Sequence, residues 1–167
     1  KIKISKKIKI TKNKTLTDLS IPISSCIVQS SKFFKKNKVN LLIILGDRFE
    51  AMAIALSAHI NKIPIGHIHG GELTMNLMDD AFRHSITKLS QLHFTANKIY
   101  KNRVVQLGEN PKNVFLVGGL GVDSINRTSF LSKKQLEQNL NVNLKNCKNI
   151  LVTVHPETLE KKFDIKN

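Results

Sequence analysis

The sequence predicts an α/β fold built on a doubly wound parallel sheet. Short apolar runs typical of buried parallel strands alternate with longer segments whose apolar residues recur every three to four positions. The links between these segments are short, which is typical of repeated strand–helix units in one sheet. The length of 167 residues is sufficient for one core of this kind.

Each predicted element has its own pattern. Residues 1–10 alternate Lys and Ile with a shift at Lys6 and Lys7, which predicts an edge strand or an extended arm. The aliphatic run 39–45, ended by Gly46, predicts a central strand. Further strands are predicted at 64–69, 92–95, 114–117 and 150–154. Helices are predicted at 24–38, 48–61, 79–90, 97–107 and 133–140.

The net charge of +15 and the pI of about 10.0 raise the question of a nucleic-acid partner. Residues 1–38 hold eleven lysines and one acid, whereas residues 39–131 hold nine basic residues and seven acids. Aromatic residues make up only 5% of the chain and do not alternate with basic ones, as they do where bases stack. We therefore expect solvated lysines and no nucleic-acid partner.

The composition also indicates where in the cell the protein is located. No apolar run approaches the roughly 18 residues needed to span a bilayer, and the Lys-rich start lacks the apolar core of a signal peptide. Cys26 and Cys147 have neither metal-ligand spacing nor the density of a disulfide scaffold. We expect a cytoplasmic protein with no membrane partner.

The first of three polar clusters follows the strand 39–45. Gly46 allows a turn, and Asp47 and Arg48 come next, where open parallel sheets place their ligand crevice. Asp47 could instead cap the following helix, with Glu50 completing a capping box. The spacing leaves both interpretations open.

The second cluster contains two histidines and a carboxylate. His67 and His69 stand at alternate positions of a strand end and are expected on one face, before Gly70 and Gly71 permit a sharp turn to Glu72. Such groups can move protons on a substrate. A zinc site is the competing interpretation, but its ligands would have to converge across the Gly-Gly turn, so we expect no metal.

The third cluster lies at a predicted helix start and contains Asp79, Asp80, Arg83 and His84. Acids at a helix N-terminus are favourable on electrostatic grounds, and Arg83 can pair with them three or four residues away. A purely structural role therefore competes with acid–base chemistry.

Taken in order, these motifs and two later ones resemble the UDP-N-acetylglucosamine 2-epimerase family. The resemblance covers roughly residues 39–160. Its motifs are Gly-Asp-Arg-Phe-Glu at 46–50, Ile-Pro-Ile-Gly-His-Ile-His-Gly-Gly-Glu at 63–72, Asp-Asp-Ala-Phe-Arg-His-Ser-Ile-Thr-Lys-Leu-Ser at 79–90, Arg-Val-Val-Gln-Leu-Gly-Glu at 103–109 and Val-Thr-Val-His-Pro at 152–156. The chain is most similar to the hydrolysing branch, which releases UDP and N-acetylmannosamine for sialic acid synthesis, or handles a related diacetamido sugar for legionaminic acid.

The resemblance implies a glycosyltransferase-B-like fold of two Rossmann-like halves with the active site between them. Residues 1–150 are then the N-terminal domain without its first strand, and residues 151–167 begin the C-terminal nucleotide-binding domain. The implied substrate is a UDP-amino sugar, with no cofactor, and the implied full-length state is a homodimer or higher homo-oligomer. We expect the isolated chain to be inactive and to expose an apolar surface.

The resemblance also implies the chemistry and its residues. Anti elimination of UDP gives a 2-acetamidoglucal, which is then hydrated, and both steps need acid–base groups. His69 stands where relatives carry a catalytic Glu, so either His69 or Glu72 takes that role. The implied catalytic residues are Asp47, His69, Glu72, Asp79, Asp80 and His155. The implied substrate-binding residues are Arg48, His67, Gly70, Gly71, Arg83, His84 and Gly119.

Two alternatives remain. The non-hydrolysing branch of the family yields UDP-N-acetylmannosamine, but tends to carry His-Val-Glu-Ala-Gly-Leu-Arg where this chain has His-Ile-His-Gly-Gly-Glu. The chain could also be an inactive fragment that only binds or dimerises.

Overall fold

The computed structural model describes residues 4, 6–10, 19–74, 78–144 and 148–153, which fall into two compact units, Lys1–Gly119 and Leu120–Asn167. The first unit holds a four-stranded parallel sheet in the order β1-β2-β3-β4. The elements of the first unit are α1 (Ser20–Lys36), β1 (Leu42–Leu45), α2 (Phe49–Ile60), β2 (Ile65–Ile68), α3 (Met78–Leu89), β3 (Leu92–Thr95), α4 (Lys98–Gln106), a 3-10 turn (Pro111–Asn113) and β4 (Val114–Leu116). The second unit holds α5 (Leu120–Arg127) and α6 (Lys133–Leu140).

The core lies between the sheet and the helices that connect its strands. Ile44 of β1 and Ile65 of β2 pack against Ala55 and Ala58 of α2 and Ile86 of α3, all nearly inaccessible to solvent. The small alanine side chains let α2 lie close to the sheet. Each strand is added on the same side of the previous one, so right-handed connections place α2, α3 and α4 along one face.

The opposite face of the sheet exposes apolar side chains. Ile43 and Leu45 of β1 are 50% and 59% exposed, and Phe115 of β4 is 43% exposed. Phe94 stacks on Phe115 with ring centroids 5.6 Å apart. An open groove of about 620 Å³ runs beside β1. The exposed apolar surface expected from the sequence is therefore present.

The α/β fold class and most elements are confirmed, but three regions differ from the predictions. Helix α1 begins at Ser20 rather than residue 24, because Pro22 lies in its first turn, where a missing backbone N–H costs nothing. Helix α5 was not predicted, since Gly118, Gly119 and Gly121 suggested only a turn.

The third difference concerns the two predicted outer strands. Residues 6–10 are not in a strand, and the side chain of Gln29 in α1 bonds to both backbone groups of Lys9. Residues 150–153 are not in a strand, and residue 154 lies outside the described residues. The described helices include none that is long and apolar enough to cross a bilayer.

Glu109 links β3 and α3 at the amino end of the sheet. Its Oε2 lies 3.2 Å from Nε2 of the fully buried His93 in β3, and its Oε1 lies 2.5 Å from Nζ of Lys88 in α3. Burial lowers the pKa of His93. The ring is therefore neutral at pH 7 and its bond to Glu109 is a hydrogen bond rather than a strong ion pair.

We expect Glu109→Ala to reduce the free energy of unfolding by about 1–3 kcal/mol, because it leaves the buried Nε2 of His93 without a partner. Lys88→Met removes only the ion pair of a half-exposed lysine and should cost less than about 1 kcal/mol. Urea unfolding at pH 7 measures both. Equal effects of the two variants would show that Glu109 acts only through its surface ion pair.

Candidate active site

The three polar clusters meet at one rim of the sheet. Leu45 of β1 and Ile68 of β2 are register partners, so Asp47 and His69 follow neighbouring strand ends. Helix α3 begins at Met78 and brings Asp79 and Asp80 to the same carboxyl end. The rim thus contains the carboxylates and histidines that the sequence indicated should converge.

Arg83 is the buried centre of this rim. Its side chain is only 6% exposed and its guanidinium donates to Asp47 Oδ2, to Asp80 Oδ1 at 3.2 Å and to Thr74 Oγ1 at 2.7 Å. Asp80 Oδ1 also accepts from the backbone N–H of Thr74 at 2.8 Å. One buried cation therefore fixes the loop after β1, the loop after β2 and the start of α3 relative to one another.

Asp47 is not the cap of α2. The N-cap position is occupied by Arg48, which makes no side-chain capping bond. Glu50 instead bonds to the guanidinium of Arg48 at 3.0–3.1 Å, so the predicted capping box is absent. The capping interpretation is wrong, and Arg83 is the observed partner of Asp47.

The two acids at the start of α3 differ in their surroundings. Asp80 is held by Thr74 and Arg83 and lies 3.5 Å from Nε2 of His84. Asp79 accepts no hydrogen bond from a described residue, and its pKa is raised by burial and then by the negative charge of Asp47. The raised pKa makes Asp79 a candidate proton donor.

His67 is fully buried and both of its ring nitrogens have partners. Nε2 lies 2.9 Å from the carbonyl oxygen of Gly46 and Nδ1 lies 3.1 Å from Oγ1 of Thr87. A carbonyl only accepts, so Nε2 carries the proton, and the single hydroxyl proton of Thr87 is shared between Nδ1 and the carbonyl oxygen of Arg83, which lies 3.1 Å from Oγ1. Burial lowers the pKa of His67 from 6.5 to about 4. This placement favours a structural link between β1 and α3 over the predicted contact with substrate.

His69 has a different environment from His67. The strand ends at Ile68 and His69 adopts φ +66°, so the alternation that predicted a shared face does not continue. The His69 side chain is 23% exposed and its Nδ1 lies 2.6 Å from Glu72 Oε1. Within the described ranges, no three His, Cys, Asp or Glu side chains are placed to hold a metal ion.

Gly70 and Gly71 are needed for packing. A Cβ on Gly71 would lie 2.4 Å from the carbonyl oxygen of Tyr100 and 2.9 Å from Val104 in α4, and its φ of +82° disfavours any side chain. A Cβ on Gly70 would lie 3.1 Å from both His67 Nδ1 and Thr87 Oγ1. Their observed role is to let the loop after β2 lie against α3 and α4.

We expect Gly71→Ala to lower the free energy of unfolding by about 2 kcal/mol or more, since it adds both backbone strain and a clash with backbone. Gly119→Ala is the matched control, because a Cβ there meets no atom of a described residue within 4 Å and no positive φ is required. Thermal unfolding of the two variants compares them. A Gly71→Ala variant as stable as the control would mean that the loop can move away from α4.

The remaining predicted site residues are less closely tied to the rim. Arg48 is 73% exposed and lies over the ring of Phe49 at 5.9 Å. His84 approaches Asp80 through Nε2, while its Nδ1 is buried and has no hydrogen-bond partner among the described residues. Gly119 has open space around it, and His155 lies outside the described residues.

The fold and rim define a Rossmann-like α/β domain with acid–base groups at the carboxyl ends of its strands. Residues 1–167 match the family model described as UDP-N-acetylglucosamine 2-epimerase, and the chain belongs to this family. The GDP/UDP-N,N'-diacetylbacillosamine 2-epimerase (hydrolyzing) of Campylobacter jejuni is 42% identical over 161 residues, which are 96% of this chain and 42% of the relative. The polysialic acid biosynthesis protein P7 of Escherichia coli is 42% identical over 137 residues, or 82% of this chain and 34% of the relative.

A solved structure agrees with these relatives. The UDP-GlcNAc 2-epimerase from Neisseria meningitidis, crystallised bound to UDP-GlcNAc, superposes with a TM-score of 0.63 at 26% identity. The match covers 77% of this chain and 37% of that structure. The chain therefore spans less than half the length of the relatives it matches.

Proposed function

We propose that this chain forms part of a hydrolysing 2-epimerase that converts a UDP-N-acetylhexosamine and water into UDP and the free 2-epimeric sugar. The observation that carries the proposal is the arrangement of Asp47, Arg83 and Asp79 at the rim. The buried guanidinium of Arg83 contacts the carboxylate of Asp47, beside a second carboxyl group, Asp79, whose pKa is raised. The Campylobacter jejuni relative, named as hydrolyzing, supports this branch over the non-hydrolysing one.

The reaction removes one proton from C2 of the sugar and later adds another to the same carbon. A base removes the proton from C2 of the sugar while the C1–O bond breaks, and UDP leaves with the bonding electron pair. Water then adds to the resulting C1=C2 double bond, its oxygen to C1 and a proton to C2 from the opposite face. A carboxyl group with a raised pKa such as Asp79 can supply this proton.

Asp47, Asp80 and Arg83 then have positioning and electrostatic roles. The charge of Asp47 helps to raise the pKa of Asp79, and Asp80 with Arg83 holds Thr74 of the loop after β2. We propose that Arg48 and His84 contact the substrate from the edge of the rim. We also propose a catalytic role for His155, which lies outside the described residues.

The substrate and the assembly are also part of the proposal. A UDP-N-acetylglucosamine substrate leads to sialic acid precursors, and a UDP-diacetamido sugar leads to legionaminic acid. We propose a cytoplasmic homo-oligomer in which residues 1–150 belong to the N-terminal domain and residues 151–167 begin the nucleotide-binding domain.

The test is UDP release by the complete gene product, supplied separately with UDP-N-acetylglucosamine and a UDP-2,4-diacetamido sugar in ¹⁸O-labelled water. The proposal expects a free 2-epimeric sugar and UDP that contains no ¹⁸O, because the C1–O bond breaks. Formation of UDP-N-acetylmannosamine would establish the non-hydrolysing alternative. No reaction with either substrate would favour an inactive binding module.

A further inference from the structure

We infer that His69 and Glu72 form a catalytic dyad in which His69 Nε2 removes the C2 proton and Glu72 positions the ring. This inference rests on the proposed epimerase function and assigns one of its steps. The sequence left open whether His69 or Glu72 has the catalytic role at this position, and the inference assigns it to His69.

The contact between the two side chains fixes the histidine tautomer. His69 Nδ1 lies 2.6 Å from Glu72 Oε1, a short distance typical of a charge-assisted hydrogen bond. An ionised carboxylate only accepts, so Nδ1 carries the proton and Nε2 of the neutral ring has a free lone pair. Nε2 has no hydrogen-bond partner among the described residues, and the ring is partly exposed at the rim. Nε2 is therefore available to a substrate proton.

The backbone holds this ring in place. His69 is in the left-handed region, which is uncommon for a non-glycine residue and costs energy unless its surroundings enforce it. Its N–H donates to the carbonyl oxygen of Phe94 at 2.9 Å, and the next two residues, Gly70 and Gly71, pack closely against neighbouring groups. The loop therefore turns His69 away from the buried position that His67 occupies.

Glu72 is less suited to take the proton itself. Its Oε1 is committed to His69 Nδ1, and a carboxylate in that position stabilises the imidazolium that forms when Nε2 is protonated. In the elimination step the C2–H electrons form the C1=C2 bond as the C1–O bond breaks and UDP leaves. The proton ends on Nε2 of His69. It returns to solvent before the next turnover.

The first test examines the tautomer in the 167-residue chain by ¹⁵N NMR of its histidine rings at a pH where they are neutral. The expected signal for His69 is the Nδ1–H tautomer, and Glu72→Ala should shift it toward the Nε2–H form. Glu50→Ala is the matched control, because Glu50 bonds Arg48 and not a histidine. An Nε2–H tautomer in the unmodified chain would overturn the dyad.

The second test separates the two chemical steps in the complete gene product. His69→Gln should lower UDP release from the nucleotide sugar by about 100-fold or more, while hydration of added 2-acetamidoglucal in the presence of UDP continues. Equal loss in both reactions, or in neither, would overturn the assigned step. If the unmodified protein releases no UDP, the proposed function fails, and the tautomer measurement still decides whether the dyad exists.

Discussion

Asp47→Asn is expected to lower the rate at which the free 2-epimeric sugar forms by about 10²- to 10⁴-fold, the range typical of losing a positioned acid–base group. Asn keeps the size of Asp47 and an oxygen that can accept from Arg83. It removes the negative charge that helps to raise the pKa of Asp79. Asp79 would then lose its proton at lower pH, so less of the proton donor for C2 would be present at a given pH.

The measurement is steady-state formation of the free sugar by the complete gene product, with circular dichroism to confirm that the variant is folded. Asp123→Asn is the matched control, since Asp123 is exposed on α5 and the substitution changes charge in the same way. If Asp47→Asn retains more than about a tenth of the unmodified rate, far above the catalytic range, Asp47 is a structural partner of Arg83 only.

Much of the fold could be predicted because apolar runs and topology determine it. The run before Gly46 and the run before His69 became β1 and β2, and parallel strands necessarily bring their carboxyl ends to one edge. The convergence of Asp47, His69 and Asp79 followed from that rule without any knowledge of side-chain contacts.

Individual roles at the rim could not be predicted, because they depend on where regular structure ends. The alternation rule placed His67 and His69 on one face, but it holds only while the strand continues, and the strand ends at Ile68. The contacts of Thr87 with His67 and of Thr74 with Arg83 were not predicted. No spacing in the sequence distinguishes these two residues from ordinary surface threonines.

Lowering the pH from 7 to 4 is expected to remove about 3 kcal/mol from the free energy of unfolding through His67 alone. In the folded chain the pKa of His67 is about 4, against 6.5 for the unperturbed group, and burial is the main cause. Between pH 6.5 and about 4, His67 is protonated in the unfolded chain but neutral in the folded chain. Stability therefore falls as the pH drops through this window, and burial of His93 acts in the same direction.

His67→Gln tests this mechanism, because it removes the titrating group. The variant should be less stable at pH 7, having lost the bonds to Gly46 and Thr87, but its stability should fall less steeply between pH 7 and 4. Urea unfolding at several pH values gives both slopes, with the exposed His59→Gln as the matched control. Glutamine at position 67 does not titrate. If the free energy of unfolding of His67→Gln still fell as steeply with pH, a group other than His67 would cause the acid sensitivity.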